Sequence, residues 1–535
     1  MKLIYKSILL FTSSLLLLSS CDLDKTPYGN GTFWGSLDEI KLGLNAAYEP
    51  LYYEEGYGRG HWWAGPASDD MVINRDKPAD AAITEFTDAG SSNNSSGHAS
   101  NWELMYRTIR RANDVMRYTT PEIEMTAKER DIILGEANFL CAYAYFHLAK
   151  RYGGLPFYDY KDPDNINKPR ETKTKTYENI EGYLLEAIKH FENHDLWIRD
   201  DADWGRPNLG AAYGLLAKVY AHWGKYEKAK PAAEKVIGSL KYSLNTTGNN
   251  GFANLFSPKG EKHSEVLFNL TNKSIRNQGT VTSVICLAGK MSGGTGWYYF
   301  APTKSLDMAF DLGDLRRKVT LKTVGDMVSY RPYIKQLQEE ENKLAEKEGR
   351  APKTITAPQP IRTSDISDMS TGYMCSKYLA AYDELEGWNW ESGQDVPLLR
   401  YADVLLIHAE AEIFLAGGGP GNRTLGVSAA ASSFNLVRER AFGGNSSKAI
   451  SAPTFNDLVK ERRCELAYED ERHYDLVRWG LAQEIYAAAT TATDPRGKRT
   501  FVPSRHEHFP IPQLEINDSG GVLQNNPLDG YSNFK

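Results

Sequence analysis

The chain has 535 residues, with 62 Lys and Arg against 69 Asp and Glu, for a net charge of −7 at neutral pH. That length holds one large composite fold or several ordinary domains, and a composition 41% hydrophobic and 24% charged excludes a disordered, collagen-like or disulfide-scaffold chain. The mildly acidic balance argues against general nucleic-acid binding, which leaves a basic footprint.

At the N-terminus, Lys2 and Lys6 precede an apolar run from Ile8 to Leu18. This run is shorter than the roughly 20 apolar residues of a spanning helix and reads as a secretory signal. Leu18-Ser19-Ser20-Cys21 resembles a bacterial lipobox, so Cys21 is expected to be the first mature residue and to carry a lipid. The expected organisation is a lipoprotein signal peptide over 1–20 and one composite domain over 21–535. It would be held to a membrane through its N-terminal lipid only, with no other window approaching a span.

Helical periodicity starts at Leu37, Ile40, Leu44, Ala47, Tyr48 and Leu51. A loop-like stretch from 52 to 99 carries Trp62 and Trp63 after a glycine-rich run, then Asp69, Asp70, Asn74 and Arg75. Helices are predicted over 101–118, 126–151 and 177–191. Thr126 and Glu129 have the spacing of a capping box, and Gly153-Gly154 ends the second of these helices. Residues 206–238 read as a helical hairpin turning at Gly224, and Ala/Gly-rich pairs of this length resemble a tetratricopeptide repeat. A second pair is predicted over 401–415 and 428–441. Between them, about 242–398, lies a loop-rich insertion with a β-like piece at 265–270, a glycine cluster leading into Trp297-Tyr298-Tyr299, a solvated helix near 336–347, and a polar loop holding Trp388, Asn389 and Trp390. The helical scaffold is thus expected over about 37–240 and 399–490, with an irregular C-terminal segment from about 490. Cys141 and Cys464 read as buried thiols; a bridge between Cys286 and Cys375 is allowed by an oxidising compartment without being supported.

Four blocks identify a resemblance. They are Gly135-Glu136-Ala137 running to Arg151-Tyr152-Gly153-Gly154-Leu155-Pro156; Arg400-Tyr401-Ala402-Asp403 with Ala409-Glu410-Ala411; Glu461-Arg462-Arg463 through Tyr474-Asp475-Leu476-Val477-Arg478-Trp479-Gly480; and Phe509-Pro510-Ile511-Pro512 with Gln524-Asn525-Asn526-Pro527. In this order after a lipobox, the chain resembles the SusD/RagB family of outer-membrane nutrient-binding lipoproteins. The resemblance implies a mostly α fold, a tetratricopeptide-like helical scaffold with a loop-rich insertion. It also implies a non-catalytic, outward-facing surface protein that captures an oligo- or polysaccharide and hands it to a SusC-like TonB-dependent transporter. No cofactor is implied. The Asp-rich loops leave room for a structural calcium ion, which no EF-hand pattern supports. A peptide-binding import protein and a lipid-anchored glycosidase remain as alternative readings.

Arg472, Asp475 and Arg478 sit at i, i+3 and i+6 on one helix and are read as structural ion pairs, with Arg472 and Asp475 close enough to pair. Ligand contacts are sought among aromatic residues outside the helical stripes, because a flat ring covers the C–H face of a sugar at low entropic cost. Trp297, Tyr298 and Tyr299 lead, followed by Trp62 and Trp63, then Trp388 and Trp390, with Asp69, Asp70, Asn74, Arg75 and Asn389 as polar helpers. Trp102, Trp223 and Trp479 read as scaffold. The glycine-rich setting of Trp297 predicts that its removal weakens glycan binding while leaving stability nearly unchanged.

Overall fold

The structure is a computed structural model, and it describes residues 33–53, 56, 65–74, 78–87, 96–246, 251–257, 261–273, 275, 278–291, 296–379, 392–503 and 505–525. The fold is mostly α. Its principal helices are α1 (Leu37–Tyr52), α2 (Ser96–Tyr118), α3 (Ala127–Tyr152), α4 (Lys173–Glu192), α5 (Leu209–Trp223), α6 (Tyr226–Gly238), α7 (Arg331–Glu348), α8 (Tyr401–Leu415), α9 (Ala431–Ala441), α10 (Phe455–Leu466) and α11 (Arg472–Arg478).

Their ends follow local chemistry. Thr126 and Glu129 make the reciprocal cap of α3: the Glu129 amide donates to Thr126 Oγ1 at 3.1 Å, and the Thr126 amide donates to Glu129 Oε2 at 3.0 Å. Gly224 adopts φ 74°, in the left-handed region open to glycine, and turns the chain from α5 into α6. Among the described residues α3 alone is long and apolar enough to cross a membrane, but 89% of its apolar window is buried within the protein. This corrects the expectation that no window beyond the signal approaches a span. A helix apolar on all sides is a core helix when its neighbours cover it.

Successive helices stack in order. α1 packs on α2, α2 on α3, α3 on α4, α4 on α5 and α5 on α6. The stack then continues from α6 directly onto α8, which packs on α9 and α10. Residues 239–400 therefore leave the stack and return to it without interrupting it. At the seam Tyr226 of α6 stacks on Phe414 of α8, centroids 4.1 Å apart, and its hydroxyl donates to Glu410 at 3.0 Å.

The insertion is necked by an antiparallel ribbon, β2 (Val266–Leu270) with β8 (Val396–Arg400), in the register Val266↔Arg400 and Leu270↔Val396. Gly214 of α5 admits this ribbon. A Cβ there would sit 2.8 Å from Leu267 and 3.2 Å from Leu399. Beyond the neck the insertion has two apolar clusters of its own, one around Phe252, Phe256, Phe300 and Tyr378, the other around Leu287, Met291, Tyr333 and Met374. Three short ribbons frame them: β1 (Met71–Ile73) with β3 (Phe300–Pro302), β4 (Leu321–Thr323) with β7 (Tyr373–Cys375), and β5 (Met327–Val328) with β6 (Gln359–Pro360). Cys375 is a free buried thiol, as are Cys141 and Cys464, while the side chain of Cys286, its suggested partner, lies outside the described residues.

Buried charges lock neck, insertion and C-terminal helices together. Arg400 at the end of β8 reaches Glu265 and Glu465 at 2.8 Å each and Glu469 at 2.6 Å; Arg440 reaches Glu465 at 2.6 Å; Arg316 of the insertion reaches Glu461 at 2.7 Å and Glu465 at 3.1 Å. Burial pushes the Glu465 carboxyl up, but Arg440, Arg400 and Arg316 outweigh it and hold the group well below the usual carboxylate range. Removing one partner of such a group strands an uncompensated buried charge.

Candidate functional site

The β1–β3 ribbon joins the two segments that carry the leading aromatic candidates. Its register Val72↔Ala301 is extended at both ends, by Asn74 N donating to Tyr299 O at 2.7 Å and Thr303 N donating to Asp70 O at 2.8 Å. Residues 297–299 also lie against the end of the short helix Thr282–Cys286. Trp297 N donates to Val284 O at 2.7 Å, Tyr299 N to Ile285 O at 2.8 Å and Tyr298 N to Leu287 O at 3.2 Å. The carbonyls that a helix end leaves without partners thus fix the aromatic run.

The three rings have different fates. Tyr299 is 5% exposed and belongs to the apolar cluster around Phe300, which corrects its assignment as a ligand contact. Trp297 is half-buried, packed against both insertion clusters and edge-on to Tyr299 at 6.3 Å and 70°. Tyr298 is half-buried with φ 42°. The left-handed conformation costs a residue with a Cβ about 1–2 kcal/mol. Here it is held by the amide bonds on either side. Gly289 leaves room for the ring: a Cβ there would lie 3.2 Å from Tyr298 and 3.1 Å from Asp368 Oδ2.

The polar candidates are structural. Asp69 accepts from Arg472 Nε at 2.9 Å and pairs with Arg463 at 3.1 Å, and Asp70 accepts from Arg463 at 2.7 Å. Burial raises the Asp69 carboxyl, yet the two guanidinium groups bring it well below its ordinary value. Asp70, buried beside Asp69, is pushed up by burial despite Arg463. Both Asp residues are removed from the ligand-facing set, because their oxygens serve the joint between the N-terminal segment and the C-terminal helices. The expected Arg472–Asp475 pairing is corrected with them: Arg472 turns to Asp69, while Asp475 is bound by Arg462 at 2.9 Å and Arg478 at 2.8 Å. Asn74 is likewise committed, its amide donating to Asp368 O at 2.8 Å and accepting from Ser370 N at 2.6 Å. It pins the 368–370 turn beside Tyr298. That turn brings in Asp368, which the sequence did not single out and whose Oδ1 has no hydrogen-bond partner. Nothing in the Ser-rich run around it distinguishes this Asp before the chain is folded.

Trp62, Trp63, Trp388, Trp390 and Cys21 lie outside the described residues. Ser392, which follows the segment bearing Trp388 and Trp390, exchanges backbone hydrogen bonds of 2.8 Å with Thr280, just before the short helix that holds Trp297. Trp102 and Trp479 are buried scaffold, each 3% exposed.

A cleft of ≈ 610 Å³ lies elsewhere, beside the neck, lined by Tyr242, Phe252, Tyr401, Arg316 and Arg440 among others. Its tyrosines are 6% and 7% exposed and its arginines belong to the buried charge cluster, so it offers no open ring face.

A continuous helical stack carrying a strand-stitched module, with half-buried rings held on a fixed turn, defines a binding scaffold. The chain belongs to the SusD family: the model described as "SusD family" matches residues 261–531, and one described as "Starch-binding associating with outer membrane" matches residues 56–221. The chain is similar to SusD-like protein P2 of Formosa agariphila, 26% identical over 97% of this chain and 99% of that one. It also resembles the starch-binding protein SusD of Bacteroides thetaiotaomicron, 26% identical over 74% and 72%. In fold it matches surface glycan-binding protein A of Bacteroides thetaiotaomicron, solved in complex with laminarihexaose, with a TM-score of 0.70 at 22% identity over 92% and 99%.

Proposed function

We propose that this chain is a non-catalytic surface lipoprotein that binds a glycan through Trp297 and Tyr298 and passes it to a TonB-dependent outer-membrane transporter. The observation that carries the reading is Tyr298, a half-buried ring on a left-handed backbone beside half-buried Trp297. Family membership and the glycan named with the structural relative support the ligand class. Trp62, Trp63, Trp388 and Trp390 are further ring contacts on this reading, supported by the Thr280–Ser392 bridge and the β1–β3 ribbon, which bring the described residues next to their segments to the same place. Lipidation at Cys21 and the partner transporter rest on the sequence resemblance, and outer-membrane association is supported by the second family description.

A glycosidase would need a carboxyl pair of divergent pKa on an open cleft. Two of the raised carboxyls are plainly engaged elsewhere. Asp470, pushed up to about 7 by burial, is paired with Arg151 at 3.1 Å inside the stack; Asp395, also raised by burial, is bound by Trp204, Asn269 and the Asn272 amide. Electrophoresis of the protein through gels containing polysaccharides, with an assay for released reducing ends, tests the reading. Retardation without product supports capture; product release supports the enzyme, and a bound peptide with no glycan retardation supports peptide import.

A further inference from the structure

We propose that Glu234, His408 and Glu412 form a site for a divalent transition-metal ion of the zinc type at the seam between α6 and α8. His408 and Glu412 lie one turn apart on α8, and Glu234 faces them from α6. His408 Nε2 is 3.7 Å from Glu234 Oε1 and 3.8 Å from Glu412 Oε1, and the three ligand atoms all lie within 4.8 Å of one another. Tetrahedral ligands about 2.0–2.1 Å from zinc stand about 3.3 Å apart, so small side-chain adjustments close the site.

The second observation is the far side of the imidazole. His408 Nδ1 lies 3.0 Å from the buried Ser433 Oγ, whose own hydroxyl is directed to Ala430 O at 3.4 Å. Ser433 Oγ is thus placed to accept from Nδ1–H once a metal takes the Nε2 lone pair. This is the arrangement by which a neighbouring group fixes the tautomer and aim of a metal-bound histidine. One imidazole nitrogen with two carboxylates, the remaining positions left to water, suits zinc better than calcium or magnesium, which take oxygen ligands.

A cation already favours this place. Lys230 Nζ lies 2.8 Å from Glu412 Oε1 and 3.9 Å from Glu234 Oε1 on a side chain 32% exposed, free to swing into water when a metal enters. The ion would join two helices that are adjacent in space but separated in sequence by the whole insertion, and so would pin the stack at the point where the chain leaves it.

The test is calorimetric titration of the untagged, chelator-stripped mature protein with zinc chloride, with thermal unfolding followed alongside. Glu234 is 49% exposed, so Glu234→Gln retains the fold. The expected result is one saturable zinc site and a zinc-dependent rise in Tm, both weakened at least about tenfold in Glu234→Gln. The same binding should be unchanged in His194→Ala, which disrupts a separate histidine pair on Asp131. No zinc binding, equal affinity in Glu234→Gln and wild type, or loss in His194→Ala alone overturns the assignment.

Discussion

Asp69 accepts two hydrogen bonds from Arg472, at 2.9 and 3.1 Å, across 403 residues of chain. This contact closes the N-terminal segment onto α11, and β1, which leads to the candidate site, begins two residues further on. Asp69→Ala would strip the buried Arg472 guanidinium of its carboxylate partner and leave Arg463 with Asp70 alone. It is expected to destabilise the protein by about 3–5 kcal/mol in denaturant unfolding. A loss below 1 kcal/mol would mean the joint is not needed.

The neck cluster predicts a contrast between buried and exposed arginines. Arg400→Met strips partners from Glu265, Glu465 and Glu469 together and should cost about 3–5 kcal/mol. Arg423→Ala removes the pair with Glu484, whose side chains are 35% and 56% exposed, and should cost no more than about 1 kcal/mol. Equal effects would contradict the view that the cluster ties the insertion to the stack.

Acid stability follows from the same groups. Asp69, Asp403 and Glu465 are each pushed up by burial but brought below their ordinary values by neighbouring Arg and Lys side chains. A carboxyl whose folded pKa is depressed stabilises the fold above its unfolded value, near 4, and that stability is lost as pH falls further. Tm is therefore expected to drop steeply below pH about 4. Asp470, pushed up to about 7, contributes with the opposite sign: its share is full below about 4 and lost as pH rises through about 7. Asp470→Asn should flatten the Tm profile between pH 5 and 8.

Tyr298 separates strain from recognition. Tyr298→Gly and Tyr298→Ala both remove the ring, but only alanine keeps the left-handed penalty, so the glycine variant should be the more stable by about 1 kcal/mol. Both should lose glycan affinity to the same extent. An alanine variant as stable as the glycine variant would show that the φ of 42° is not strained.

The helical stack was legible because its signals are local. The Thr126–Glu129 cap and the Gly224 turn each act within a few residues. The neck was partly visible, as a β-like piece near 265–270. The site was legible only as a region. The run Trp297-Tyr298-Tyr299 shows three equal candidates until the pairing of β1 with β3 buries Tyr299 and a left-handed turn reorients Tyr298. Asp69 looked like a polar helper because its partners lie hundreds of residues away. Asn74 and Asp368 acquire their roles only when two distant loops meet. For the same reason the expectation of unchanged stability on losing Trp297 does not survive: its ring packs on both insertion clusters, and Trp297→Ala should cost about 1.5–3 kcal/mol.

The most direct test of the central claim is calorimetric affinity for whichever polysaccharide retards the wild-type protein, compared with the Tyr298→Gly variant. Glycine relieves the left-handed strain but also gives up the ring's packing on the insertion cluster, so affinity is compared on protein shown to be folded. A fall of about tenfold or more, in a variant whose circular dichroism and cooperative unfolding show it folded, is the predicted result. Full affinity in the variant would contradict the placement of the glycan at this turn.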